Sequence, residues 1–333
     1  MKGLWNLLKF LSYNSFMYNG EKLGAFIVPT GVGASIGGFA GDASPYARSL
    51  TEKCNLIVNP NVVNAGGFSG INDKMFYVEG YSLDEFFKGK IRLQPSKHNK
   101  IGVIFDRAIP EHILNVHLNT INAVKAVYGL DIPHWEITDE NVGVNFRLDE
   151  NGISTGGISN PETLIRTARN LLAKGSEVLA IVCMFENPEN DNPEYSQGAG
   201  VDPVGGVEAI ISHLISKELK VPCAHSPAFD DLEITTEIVN PKSASEYITP
   251  TFLPCILLGL NKAPLFSDNG EIGIENLDFL MMPYNSLGST PVFECLKRKI
   301  PVYAVIENST VLNVTAEKLD IKEIIEIEKY DNF

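Results

Sequence analysis

Residues able to do chemistry gather in a few short motifs. VDPVGGVEA, Val201 to Ala209, sets an acid, a rigid proline and two glycines directly before a helical apolar pattern. Asp202 precedes the turn, Pro203 stiffens the approach, and Gly205 and Gly206 permit dihedrals closed to other residues. Glu208 falls in the first helical turn, where the helix dipole favours a carboxylate. VPCAH, Val221 to His225, reads as the strand after that helix, so His225 is expected at a strand end near Asp202. An imidazole beside a carboxylate is a ready acid/base pair near neutral pH. His225, Asp202 and Glu208 are therefore the catalytic candidates. A histidine tied to loop backbone is the plain alternative.

The ligand-binding candidates follow from one rule: in a parallel sheet, ligands bind beyond the carboxyl ends of strands. Expected there are Thr30, Gly31 and Gly33 after the first strand, Asn61 and Asn64 after the second, Asp106 after the third, and Ser289 and Thr290 before a helix that opens on Pro291. Glycines let a backbone approach a ligand, and helix starts attract anions. The loop TGVGASIGG is not G-x-G-x-x-G, because Gly37 misses the third position by one. Asparagines stand where an acid would follow the second strand, and G-x-x-x-x-G-K-[ST] is missing. These departures argue against NAD and P-loop nucleotide cofactors. Asp106, Asp202 and Glu208 form an alternative Mg²⁺ set, since their oxygens are hard ligands. The five cysteines (54, 183, 223, 255 and 295) contain no C-x-x-C pair, and most sit in or beside apolar runs. They read as inert buried thiols in a reducing compartment.

The elements that must position these residues repeat one pattern. Strand, glycine-containing loop, helix and strand follow one another in 24–58, 178–225 and 277–306. Each is a βαβ crossover, and together they predict an α/β fold with a mainly parallel sheet. Long helices are predicted from Pro110 to Tyr128 and from Pro161, with Asn160 as cap and Gly175 just beyond the end. A hairpin is expected around YVEGYSLDEFFKGKIRL, and an edge strand at 321–327. The division expected is an N-terminal extension, 1–23, then an α/β body, 24–333, with possible lobes at 24–150 and 151–333. The polar loop from Glu186 to Gly200 is placed to gate a site at the strand ends.

Composition narrows the partners. The chain has 333 residues, 44% hydrophobic and 20% charged, with a formal net charge of −14. Such acidity argues against a nucleic-acid partner. No apolar run reaches the roughly 18 residues of a membrane span. MKGLWNLLKFL lacks a small-residue cleavage site and reads as an amphipathic helix packed on the body. The expected location is cytoplasmic. The exposed apolar start leaves a homodimer open.

VPTGVGASIGGFAGDASP, NPNVVNAGG, VDPVGGVEA, PCAHSPAF and VIENSTVL, taken in order, resemble a family carried as a domain of unknown function in cyanobacteria, other bacteria and plastids. The resemblance runs from about residue 24 to 315. It implies one soluble, enzyme-like unit and supplies neither an activity nor catalytic residues. The expected function is acid/base chemistry on a small anionic metabolite by a lyase, isomerase or hydrolase. A non-catalytic ligand-binding module and an Mg-dependent carboxylate site are the alternatives.

Overall fold

A computed structural model describes residues 20–186, 194–230, 232 and 234–333. Most of the N-terminal extension and residues 187–193 of the expected gate lie outside the described residues. The first sheet contains β1 (Leu23–Phe26), β2 (Asn55–Val58) and β3 (Met75–Tyr77). The second contains β4 (Ile101–Phe105), β5 (His134–Ile137), β6 (Val178–Met184) and β7 (Cys223–Ala228). The chain then returns to the first sheet with β8 (Phe279–Pro283), β9 (Val302–Val305) and β10 (Ile325–Ile327).

Both sheets are wholly parallel. The six-stranded sheet has the order β10-β9-β8-β1-β2-β3, and the four-stranded sheet has the order β7-β6-β4-β5. All three expected βαβ units form, through α1 (Ser44–Leu50), α5 (Gly205–Leu219) and α7 (Thr290–Arg298). Between them come α2 (Gly80–Phe87), α3 (Glu111–Tyr128), α4 (Pro161–Ala173) and α6 (Leu253–Asn261). The four-stranded sheet is inserted between two halves of the six-stranded one. A boundary at residue 150 therefore cuts both sheets and does not separate two lobes.

Strand periodicity explains the layering. Side chains alternate between faces, and the inner strands of a covered parallel sheet are apolar on both. Phe26, Leu56 and Val58 of the first sheet share one core with Val103, Phe105, Ala180 and Val182 of the second. Helix α6 belongs to that core through Leu253, Ile256, Leu257 and Leu260. It is apolar nearly all round, as a helix buried between layers must be. Ala25, Ile57, Phe76 and Leu280 face the other way, onto α2 and α7. Ile104, Leu179 and Ile181 do the same onto α4 and α5.

Two local expectations are corrected. The expected hairpin at 77–93 is strand β3, helix α2 and a short strand Arg92–Gln94 that pairs with Leu265–Ser267. Leu83, Phe86 and Phe87 have helical spacing and bury on the first sheet, which outweighs the strand-like composition. Strand β7 also runs on to Ala228, so His225 sits within it, opposite Ile181. Ser226-Pro227 reads as a strand breaker, but β7 is an edge strand, where proline is tolerated.

Candidate functional site

The start of α5 is sealed by the chain itself. Asp202 Oδ1 accepts the Val204 amide at 3.0 Å, and the Gly205 amide also donates to this carboxylate. The Gly206 amide donates to Ser154 Oγ at 2.8 Å, and that hydroxyl donates to the Pro203 carbonyl at 2.7 Å. A Cβ on Gly206 would stand 2.1 Å from the Ser154 carbonyl oxygen, so the second glycine admits the strand Ser154–Ile158. The acceptor held by this helix start is the Asp202 carboxyl.

The glycine-rich loop after β1 is similar. The Gly37 amide donates to Asp42 Oδ1 at 2.7 Å, the Ala40 amide to Glu246 Oε1 at 2.8 Å, and the Ile36 amide to Asn308 Oδ1 at 3.1 Å. At the start of α7, the Thr290 side chain hydrogen-bonds the Asp84 carboxylate. Where the sequence suggested outside anions, these amides and the Thr290 hydroxyl meet the chain's own side chains.

From α5 and β7 grows a buried polar chain. Glu208, Ser212 and His213 lie on α5, and His225 faces them from β7. His225 Nε2 is 3.3 Å from Glu208 Oε2, with the two side chains 11% and 14% exposed. His225 Nδ1 is 3.2 Å from Ser212 Oγ. Ser212 Oγ–H donates to Glu79 Oε2 at 3.2 Å, and Tyr77 O–H donates to Glu79 Oε1 at 3.2 Å. Asn64 Nδ2 closes the chain by donating to the Tyr77 oxygen at 3.3 Å. Glu79 ends up here because β3 stops at Tyr77 and α2 starts at Gly80, leaving the acid at the helix N-cap position.

Asn64, Glu79, Glu208, His213 and His225 of this group border a cavity of about 870 Å³, within the range for small-molecule sites. It lies beyond the carboxyl ends of β1, β2 and β3 and against β7. Ile27, Pro29, Phe39, Leu83, Phe229 and Phe252 give it apolar walls. Glu79, Asp84, Asp202, Glu208, Glu237 and Glu246 line it, together with His213 and His225. Among the described residues, no lysine or arginine does.

This lining holds protons near neutral pH. Burial, and then the charge of Glu208, push Asp202 up to about 7. Burial raises Glu79 to about 7 against the opposing pull of His225 and its hydroxyl donors. Burial, and then Asp202, lift Glu246 to about 8, although the Ala40 amide and Tyr195 hydroxyl bond to it. His225 is pushed down by burial, but Glu208, Glu79 and Asp202 outweigh this and raise it. His213 is taken down to about 4 by burial and then by His225. Two histidines in one cavity are thus driven toward opposite protonation states, as an acid and a base require.

The structure brings most of the sequence candidates together. Thr30, Gly31, Gly33, Asn61, Asn64, Asp202, Glu208, His225 and Ser289 all line the cavity. Thr30 Oγ1 donates to Asn61 Oδ1 at 3.3 Å, and Asn61 Nδ2 to the Pro29 carbonyl at 3.0 Å. Gly31 and Gly33 have φ of +70° and +56°, which favours glycine. Thr290 and Asp106 do not line it. Asp106 is spent on the amides of Ala108, Val142 and Met184. The Asp106–Asp202–Glu208 set for Mg²⁺ is therefore not assembled, and among the described residues no three such ligands converge. Sequence reasoning missed Glu79, His213, Tyr195 and Glu246. Glu79 had a signal, an acid just after an apolar strand in FYVEG, which the hairpin assignment hid.

Residues 24–332 match the family described as a protein of unknown function, DUF3326. The chain belongs to this family. The DUF3326 match extends past the resemblance seen in the motifs and takes in β10. The chain is also 39% identical over 307 residues to an uncharacterized lipoprotein of Synechococcus sp., covering 89% of this chain and 84% of the relative. No solved structure matches. The relative's name overturns the cytoplasmic placement expected from the cysteines and the N-terminus. Among the described residues, no helix of this DUF3326 chain is long and apolar enough to cross a membrane.

Proposed function

We propose that the chain is an enzyme in which His225 and Glu208 move a proton on a small molecule held in the cavity. The observation that carries this reading is the His225 Nε2–Glu208 Oε2 contact of 3.3 Å on the cavity wall. Isomerase, lyase and hydrolase chemistry can all be run by such a pair. The ligand class shifts from anionic to neutral or cationic. A lining with six carboxyl side chains and no lysine or arginine offers an anion no fixed positive charge, and the α5 start already holds Asp202. The relative's name supports a membrane-attached location, which fractionation of the source cells tests.

The test uses the full chain and a small-molecule extract of its source cells in D₂O, followed by mass spectrometry. The wild type is expected to deuterate or convert one metabolite. His225→Asn, which keeps a donor and an acceptor but cannot titrate near neutral pH, should slow this by roughly 10²–10⁴-fold. Equal rates for the two proteins would end the catalytic reading of His225. Binding with no conversion by either would make the chain a ligand-binding module.

A further inference from the structure

We propose that Glu79 is a buried proton store that reloads His225 through the hydroxyl of Ser212. The inference rests on His225 being the group that exchanges protons with the cavity. Three contacts form the path: Glu79 Oε2 to Ser212 Oγ, Ser212 Oγ to His225 Nδ1, and His225 Nε2 to the cavity wall at Glu208. Ser212 has one hydroxyl proton and is fully buried, so its direction depends on its neighbours.

When Glu79 is ionised, it accepts from Tyr77 and Ser212, and Ser212 accepts from a protonated His225 Nδ1. When Glu79 is protonated, its O–H donates to Ser212 Oγ, and Ser212 donates to a bare Nδ1 or to the Ala209 carbonyl, also 3.2 Å away. His225 then carries its proton on Nε2, toward the cavity. Transfer follows from this geometry. Nε2–H leaves for the acceptor in the cavity, Ser212 passes its proton to Nδ1, and Glu79 passes its proton to Ser212. One proton moves from Glu79 to the acceptor, and the negative charge stays on Glu79. The titratable groups around this path are Tyr77 on β3, Glu208 and His213 on α5, Cys223 on β7, Cys255 on α6, and Asp202 before α5.

Nitrogen and carbon NMR of the labelled full chain tests the path without any substrate. His225 ring signals are assigned by their loss in His225→Asn. In the wild type, the Nδ1 and Nε2 shifts are expected to inflect together with the Glu79 carboxyl carbon between about pH 5 and pH 9. Glu79→Gln should move the His225 inflection to lower pH, because the Glu79 charge helps to hold the imidazolium. Ser212→Ala deletes one buried oxygen and should leave the Glu79 inflection while uncoupling it from His225. A His225 titration unchanged in Ser212→Ala overturns the relay, even if Glu79→Gln does not fold. Because no turnover is measured, the relay and the enzymatic reading fail separately.

Discussion

At the scale of single residues, the unusual feature is how many buried acids face one space. Glu246 shows what this means. Its carboxyl accepts the Ala40 amide and the Tyr195 hydroxyl, yet burial and Asp202 keep it protonated to about pH 8. Below that value a glutamine is close to isosteric and equally neutral. Glu246→Gln should therefore leave the melting temperature nearly unchanged at about pH 4, where the unfolded side chain is neutral too, and raise it relative to wild type at about pH 9. A variant that loses stability equally at both values would show that the charged carboxylate is needed.

At the scale of elements, α5 is positioned from both ends of its sequence motif. Asp202 caps its first amides, and Gly206 lets the strand Ser154–Ile158 cross within backbone contact. The same packing sets the height of Glu208, Ser212 and His213 against His225. Gly206→Ala puts a methyl group into the Ser154 carbonyl. The expected loss is about 1–3 kcal/mol or more in denaturant unfolding, because backbone must move. Gly157→Ala is the control, since its Cβ meets nothing nearer than 3.5 Å. Equal losses in the two variants would remove the close-approach account of Gly206.

At the scale of the whole molecule, the buried carboxyls in and around the cavity set the pH dependence of stability. Asp42, Glu79, Asp202 and Glu246 stand at about 6, 7, 7 and 8 in the fold, against 3.8 or 4.5 for free side chains. The fold therefore holds protons that the unfolded chain has released. That contribution is complete below about pH 4 and is lost as pH rises through 6 to 8. His213, lowered to about 4, works the other way, but only below its unfolded value of 6.5. Above about pH 6.5 His225, which is also raised, works in the same direction as the carboxyls, and between about pH 6.5 and pH 8.5 the melting temperature should fall. A melting temperature that rises across this window would contradict the protonated lining. Glu79→Gln or Glu246→Gln should each flatten the fall.

Much of this architecture could be read from local pattern. Strand and helix periodicity, proline at helix starts and glycine beyond their ends are properties of neighbouring residues. They placed all three βαβ units and the pairing of His225 with the α5 motif in one crossover. Three things needed the tertiary structure. The insertion of one sheet between the halves of the other pairs Gly24 of β1 with Phe279 of β8, and no local signal carries that. The continuation of β7 past His225 depends on its being an edge strand, where Pro227 breaks no ladder. The charge of the cavity depends on which amides are already taken. The sequence motif of glycines and helix starts is the same whether an outside anion or Asp202 fills it, and only the fold brings the acid close enough to decide.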